Sequence, residues 1–212
     1  MALDLEEQEQ VAELKAWWRQ HGNLIVSVIL AAAVAFAGWQ GWRWYSANQA
    51  AQAAAVFDAL AKAAQAGDAK AMRDSAGTLI ESYPRALYAS MGALVAARFH
   101  FDRGDLKAAK AQLEWVIERA PSEDFRDIAR LRLAAILLDE KTPDEALKLL
   151  EAKHGAAYES QYAALRGDAL LAKSQPAEAR AAYQLALDKA GQEQGQSAFR
   201  ESVRMRLEAL GG

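Results

Sequence analysis

The side chains in this sequence with chemistry near neutral pH are His21, His100 and His154. A metal ion needs several ligands at one point, most simply two histidines three or four residues apart on a helix. No histidine has another at that spacing, and cysteine is absent, so no metal site is expected. The missing thiols also exclude disulfides and cysteine nucleophiles. Carboxylates gather in "SEDFRD" (122–127) and "DEKTPDEA" (139–146), where a pair could do general acid–base work. Both runs read as helix starts and turns, where acids cap N–H groups and offset the helix dipole. Neither GxGxxG nor GxxxxGK[ST] occurs, and no serine sits in a GxSxG elbow. The expectation is a non-enzyme that needs no cofactor.

With catalysis set aside, the question is what the elements hold up. The chain has 212 residues, 52% of them apolar, only four prolines and a formal net charge of −3. Abundant alanine and scarce proline favour helix, so the fold class is all-α. Residues 1–22 hold five acids and two bases, while residues 43–212 are balanced. No basic excess exists to hold a phosphate backbone, so no nucleic-acid partner is expected.

From Asn23 to Trp42 no residue is charged. Twenty helical residues rise roughly 30 Å, the thickness of a bilayer's hydrocarbon layer. Trp17 and Trp18 precede the run, and Trp39, Trp42, Trp44 and Tyr45 close it. An indole has an apolar body and one N–H donor, so two aromatic belts at this separation point to two membrane interfaces. "AFA" at 35–37 resembles a signal-peptidase site, but the preceding segment is long and acidic where a signal is short and basic. The reading is a retained transmembrane helix in a lipid bilayer. Its boundaries are a cytoplasmic tail over 1–22, an anchor over 23–45 and a soluble domain over 46–212. Lys15 and Arg19 before the span outnumber Arg43 after it, which biases the N-terminus to the cytoplasm.

Beyond the anchor the pattern is helical throughout. "NQAAQAAAVFDALAKAAQAG" either continues the membrane helix or starts a new one, and Gly67 ends it. The turn "GDAKAM" at 67 returns as "GDLKAA" at 104, "KTPDEA" at 141 and "SQPAEA" at 174, in steps of 37, 37 and 33 residues. Each recurrence opens a helix, with Pro143 and Pro176 at first-turn positions that tolerate proline. Small–large pairs recur at matching places: Ala109/Leu113, Ala146/Leu150 and Ala179/Tyr183, preceded by Ala97, Ala134 and Gly167. A period near 34 with paired helices is the mark of a tetratricopeptide-repeat-like α-solenoid. "SAFRESVRMRLEAL" puts Phe199, Val203, Leu207 and Leu210 on one stripe, as a capping helix does. Such arrays bind polypeptides along their first helices. By register those groove positions are Met91, Leu94, Arg98 and Phe101, then Leu131 and Leu138, then Gln161, Asp168 and Leu171.

The acidic "LEEQEQVAELKAWWRQHGN" (5–23), "GWQGWRWY" (38–45), "RLRLA" (130–134) and "LRGDALLAK" (165–173) together resemble the ancillary SecYEG translocon subunit family of Gram-negative bacteria. The resemblance implies a single-pass inner-membrane protein with its C-terminal domain in the periplasm. As partners it implies the SecYEG translocon, a membrane-anchored periplasmic chaperone of the PpiD type, and translocating polypeptides. It implies no catalytic residues. The expected role is a scaffold linking emerging chains to chaperones. The alternative is a repeat adaptor that assembles another envelope complex without touching nascent chains.

Overall fold

The computed structural model describes residues 2–191 and 197–211, with side chains from Val11 onward. Among these residues there is no strand. The helices are α1 (Ala2–Ala66), α2 (Ala69–Ser82), α3 (Leu87–Asp102), α4 (Leu106–Arg119), α5 (Glu123–Asp139), α6 (Pro143–Leu150), α7 (Glu159–Ala172), α8 (Pro176–Lys189) and α9 (Ser197–Ala209). A short 3₁₀ turn at Ala156–Tyr158 precedes α7. The chain divides into two units, Met1–Gln49 and Ala50–Gly212.

The first unit is helix α1 up to Gln49. It contains an 18-residue window of mean hydropathy 1.9, of which only 6% is buried by protein. Leu24, Val28, Leu30, Val34 and Phe36 are all exposed. A soluble helix hides such residues against a core; this one is apolar on every side, as a helix in lipid is. The one hydroxyl of the uncharged run, Ser27 Oγ, donates to the Asn23 carbonyl at 2.7 Å and so needs no water. At the far end the Arg43 guanidinium lies 5.5 Å from the Trp39 ring.

The second unit is an array of antiparallel hairpins. Each consecutive pair from α2 to α9 packs together, α3 also meets α5, and α5 meets α7. Thus α3, α5 and α7 form one layer and their partners α4, α6 and α8 the other. The last residues of α1 join α2 in the first hairpin, where Leu60, Met72 and Leu79 are fully buried.

The turn residues show what the sequence period encodes. Gly67, Gly104, Lys141 and Ser174 all have left-handed φ, at 72°, 76°, 65° and 61°. In each turn the next residue donates its N–H back five residues: Asp68 to Ala63, Asp105 to His100, Thr142 to Leu137 and Gln175 to Leu170, all at 2.9–3.0 Å. That bond closes a Schellman motif and satisfies carbonyls the helix end leaves open. The following helix starts in one of two ways. Asp68 and Asp105 accept N–H groups from the first turn. Thr142 and Gln175 make no side-chain cap, and a proline at the helix start removes one donor that would need it.

Packing follows the same register. Ala109, Ala146 and Ala179 are completely buried, as are Leu150 and Tyr183, and Leu113 is nearly so. The first hairpin inverts the pattern, with Leu60 where the others have Ala97, Ala134 and Gly167, and Ala76 where they have Leu113, Leu150 and Tyr183. What stays constant is one large and one small partner, because a fixed helix separation fixes their combined volume. The third small partner is glycine because its large partner is an aromatic ring. A Cβ at Gly167 would lie 2.5 Å from Tyr183 Cε1.

Val203 of α9 is fully buried against Ala163, Tyr183 and Ala186, with Phe199, Leu207 and Leu210 packed beside it. The C-terminal stripe thus packs as one apolar face with residues of α7 and α8.

Candidate binding groove

Helix α3 turns one stripe of residues away from α4. Met91, Leu94, Val95 and Arg98 of that stripe line a cavity of about 500 Å³, closed by Phe57 and Ala64 of α1 and by Phe125 and Arg132 of α5. A second cavity of about 360 Å³ follows along the same two helices. Ala97, Arg98 and Phe101 line it from α3, and Ala135, Ile136 and Asp139 from α5. Arg98 and Arg132 border both cavities and mark their junction.

The walls are apolar and the charges sit at defined points. Arg98 Nε donates to Asp102 Oδ2 at 2.9 Å, one helical turn on. That hydrogen bond, and then the carboxylate's charge, raises the Arg98 pKa. Arg132 reaches back from α5 and donates to the Leu94 carbonyl at 3.3 Å. Partial burial lowers its pKa, and the neighbouring Arg98 charge lowers it further. The Arg103 guanidinium lies over the Phe99 ring, its Cζ 3.6 Å from the centroid, and donates to the Gly67 carbonyl at 3.0 Å. Three guanidiniums and one carboxylate, Asp102, therefore face the larger cavity.

The positions expected from the repeat register fall into two groups. Met91, Arg98 and Phe101 line the cavities, and Leu94 does so while also belonging to the buried core. Leu131 and Leu138 pack instead against the central core as partly buried residues. Gln161 accepts from the neighbouring Ser160 hydroxyl. Asp168 accepts from the Tyr183 hydroxyl at 2.7 Å and from Arg206 at 2.8 Å, tying α7 to α8 and α9. Burial raises the Asp168 pKa against the pull of those two donors. Leu171 is exposed at the end of α7. In the N-terminal unit Trp17, Trp18, Trp39, Trp42, Trp44 and Tyr45 are 49–72% exposed, at both ends of the apolar run.

Phe57, Val95, Phe125 and Arg132 line the groove without having been expected from sequence. The signal for Arg132 is present but displaced. A 37-residue step carries Leu94 to Leu131 and Phe101 to Leu138, which pack on the core, but it carries Val95 to Arg132 and Arg98 to Ala135, which line the cavities.

A second polar cluster centres on Asp127. Asp127, completely buried, accepts from Tyr162 Oη at 3.0 Å, Arg130 at 2.8 Å and the Gly155 N–H at 2.9 Å. Burial and then the Asp127 bond push the Tyr162 pKa well above its ordinary value. His154 stacks on the Tyr162 ring at 3.9 Å. This cluster joins α5 to α7. Among the described residues no group of three or more His, Asp or Glu side chains could hold a metal.

The family model of the tetratricopeptide repeat-like domain matches residues 15–212. The chain belongs to the tetratricopeptide repeat-like domain family. Its relatives include proteins named ancillary SecYEG translocon subunit in three bacteria. That of Haemophilus influenzae is 27% identical over 99% of this chain and 100% of its own. That of Neisseria gonorrhoeae is 29% identical over 99% and 100%, and that of Escherichia coli 26% over 84% and 85%. The resemblance read from the motifs at 5–23, 38–45, 130–134 and 165–173 is borne out by these matches. No solved structure matches the chain.

Proposed function

We propose that this repeat protein is a non-catalytic inner-membrane scaffold attached to the SecYEG translocon. The near-full-length match to ancillary SecYEG translocon subunits supports that place. Helix α1 anchors it through about residues 23–45, residues 1–22 stay in the cytoplasm, and the repeats from about residue 46 work in the periplasm. There the groove holds segments of emerging polypeptides or of a membrane-anchored periplasmic chaperone of the PpiD type. The observation that carries this reading is the convergence of Met91, Leu94, Arg98 and Phe101 of α3 on a pair of adjoining apolar cavities. Ligand sites are concave and mostly apolar with a few placed polar groups, and this groove has that composition.

The test is a photo-crosslinking amino acid placed at Phe101 in membranes carrying a stalled translocating chain. Adducts to the stalled chain or to a channel-associated chaperone are expected. Adducts to unrelated envelope assembly factors alone would overturn the reading and favour an adaptor with no nascent-chain contact.

A further inference from the structure

The charge pattern of the groove specifies what it should hold. Among the described residues neither Arg103 nor Arg132 makes an ion pair; each donates to a backbone carbonyl, a neutral acceptor that leaves its charge uncompensated. Arg98 has Asp102, but the pair is exposed and worth little, so Arg98 exchanges partners readily. Arg98 and Arg132 border the same two cavities, and after burial it is the nearby Arg98 charge that lowers the Arg132 pKa. A carboxylate at the cavity junction would relieve that repulsion and accept charge-assisted hydrogen bonds from both guanidinium forks. On either side of the junction the walls carry apolar side chains, Phe57, Val95 and Phe125 in the larger cavity and Phe101 and Ile136 in the smaller; with Asp102 and Asp139 counted, the three arginines still leave the groove one positive charge in excess.

Resting on the groove assignment of the preceding section, we propose that the groove selects polypeptide segments with the order apolar, acidic, apolar, the carboxylate seated between Arg98 and Arg132. The two-sided apolar surround favours a polypeptide over an anionic lipid, whose hydrocarbon lies on one side of its headgroup only. Association is steered by the excess positive charge and weakens with salt, while the apolar pockets set the residual affinity.

The experiment uses the full chain in nanodiscs of uncharged phosphatidylcholine. The probes are three fluorescein-labelled peptides that differ at one central position, Glu, Gln or Lys, flanked on both sides by leucine and phenylalanine. Anisotropy at low salt should show the Glu peptide bound at least about tenfold tighter than the Gln peptide, with the Lys peptide weakest. Arg98→Gln and Arg132→Gln should each weaken the Glu peptide and leave the Gln peptide unchanged. The double reversal Arg98→Glu with Arg132→Glu should invert the order of Glu and Lys. Circular dichroism of each variant establishes that the helices persist. Equal affinity for Glu and Gln peptides overturns the acid selection, while crosslinks at Phe101 would still uphold the groove. Loss of Gln-peptide binding in the single variants also overturns it, since the arginines would then be shaping the pocket rather than reading charge.

Discussion

Gly167→Ala probes the reasoning about hairpin packing with a single methyl group. The new Cβ would lie 2.5, 2.6 and 3.0 Å from Cε1, Cδ1 and Cζ of Tyr183, inside any tolerated contact. The ring cannot simply retreat, because it is fully buried and its hydroxyl is held by Asp168 at 2.7 Å. Overpacking costs about 1–3 kcal/mol. Withdrawing the hydroxyl from Asp168 costs about 1 kcal/mol or more. Alanine returns about 1 kcal/mol of helix propensity over glycine. The balance is about 2 kcal/mol of destabilisation, or a fall in Tm of about 4–8 °C for a chain of this size. The assay is thermal unfolding of the detergent-solubilised full chain followed by circular dichroism. Tyr183→Leu added to Gly167→Ala recreates the alanine–leucine pairing of the Ala97/Leu113 and Ala134/Leu150 hairpins. The double variant should therefore lie above Gly167→Ala in Tm, although Tyr183→Leu alone leaves a cavity and loses stability. An unchanged Tm in Gly167→Ala would refute the volume argument, as would losses that simply add in the double variant.

Three further outcomes are expected. Lys141→Gly and Ser174→Gly should each raise Tm by about 1–3 °C in the same assay, since left-handed backbone costs a non-glycine residue about 1–2 kcal/mol and glycine's extra chain entropy takes back about half; a lower Tm would mean those turns are not left-handed in solution. Tyr162 and Tyr183 hold their protons to higher pH folded than unfolded, so their contribution to stability is intact below about pH 10 and is lost as pH rises beyond it. Absorbance at 295 nm should show late-ionising phenols that titrate only with unfolding, and Tyr162→Phe should remove one of them. Alkaline phosphatase fused after Gly212 should be active in intact cells, and an inactive fusion would reverse the proposed orientation.

The hairpin array was legible because each turn repeats a backbone requirement. Gly67 and Gly104 announce left-handed turns, and Lys141 and Ser174, poor residues for that conformation, are found only because they fall in the same slot. The seam of the first hairpin was not legible, because Leu60 and Ala76 exchange the sizes a pattern search expects while keeping their combined volume. The continuity of α1 past Gln49 was open in sequence for a simple reason. Between Asn48 and Ala66 no glycine or proline interrupts an alanine-rich run, so nothing there marks a stop or a start. In the groove, the face of α3 could be read by periodicity alone. The facing residues of α5 and α1 could not, since which flank of one helix meets another depends on how the layers turn.

The position of the groove follows from where the inner helices are stitched together. Between α5 and α7 the buried Asp127 gathers the Tyr162 hydroxyl, Arg130 and the Gly155 N–H, and His154 closes over the ring. Removing one partner of a buried charge of this kind costs several kcal/mol, so α5 and α7 are held firmly together. At the end of α7, Asp168 performs a similar service toward α8 and α9. Among the described residues the polar link between α3 and α5 is the 3.3 Å bond from Arg132 to the Leu94 carbonyl, at the long end of the hydrogen-bond range and made by a side chain that also faces the cavities. The array thus opens where the polar bonds within this layer are weakest, and the same arginine that spans the opening has charge left to offer. An acidic ligand that took Arg132 away from Leu94 would replace a weak internal bond with a stronger external one, so occupancy need not loosen the fold that presents it.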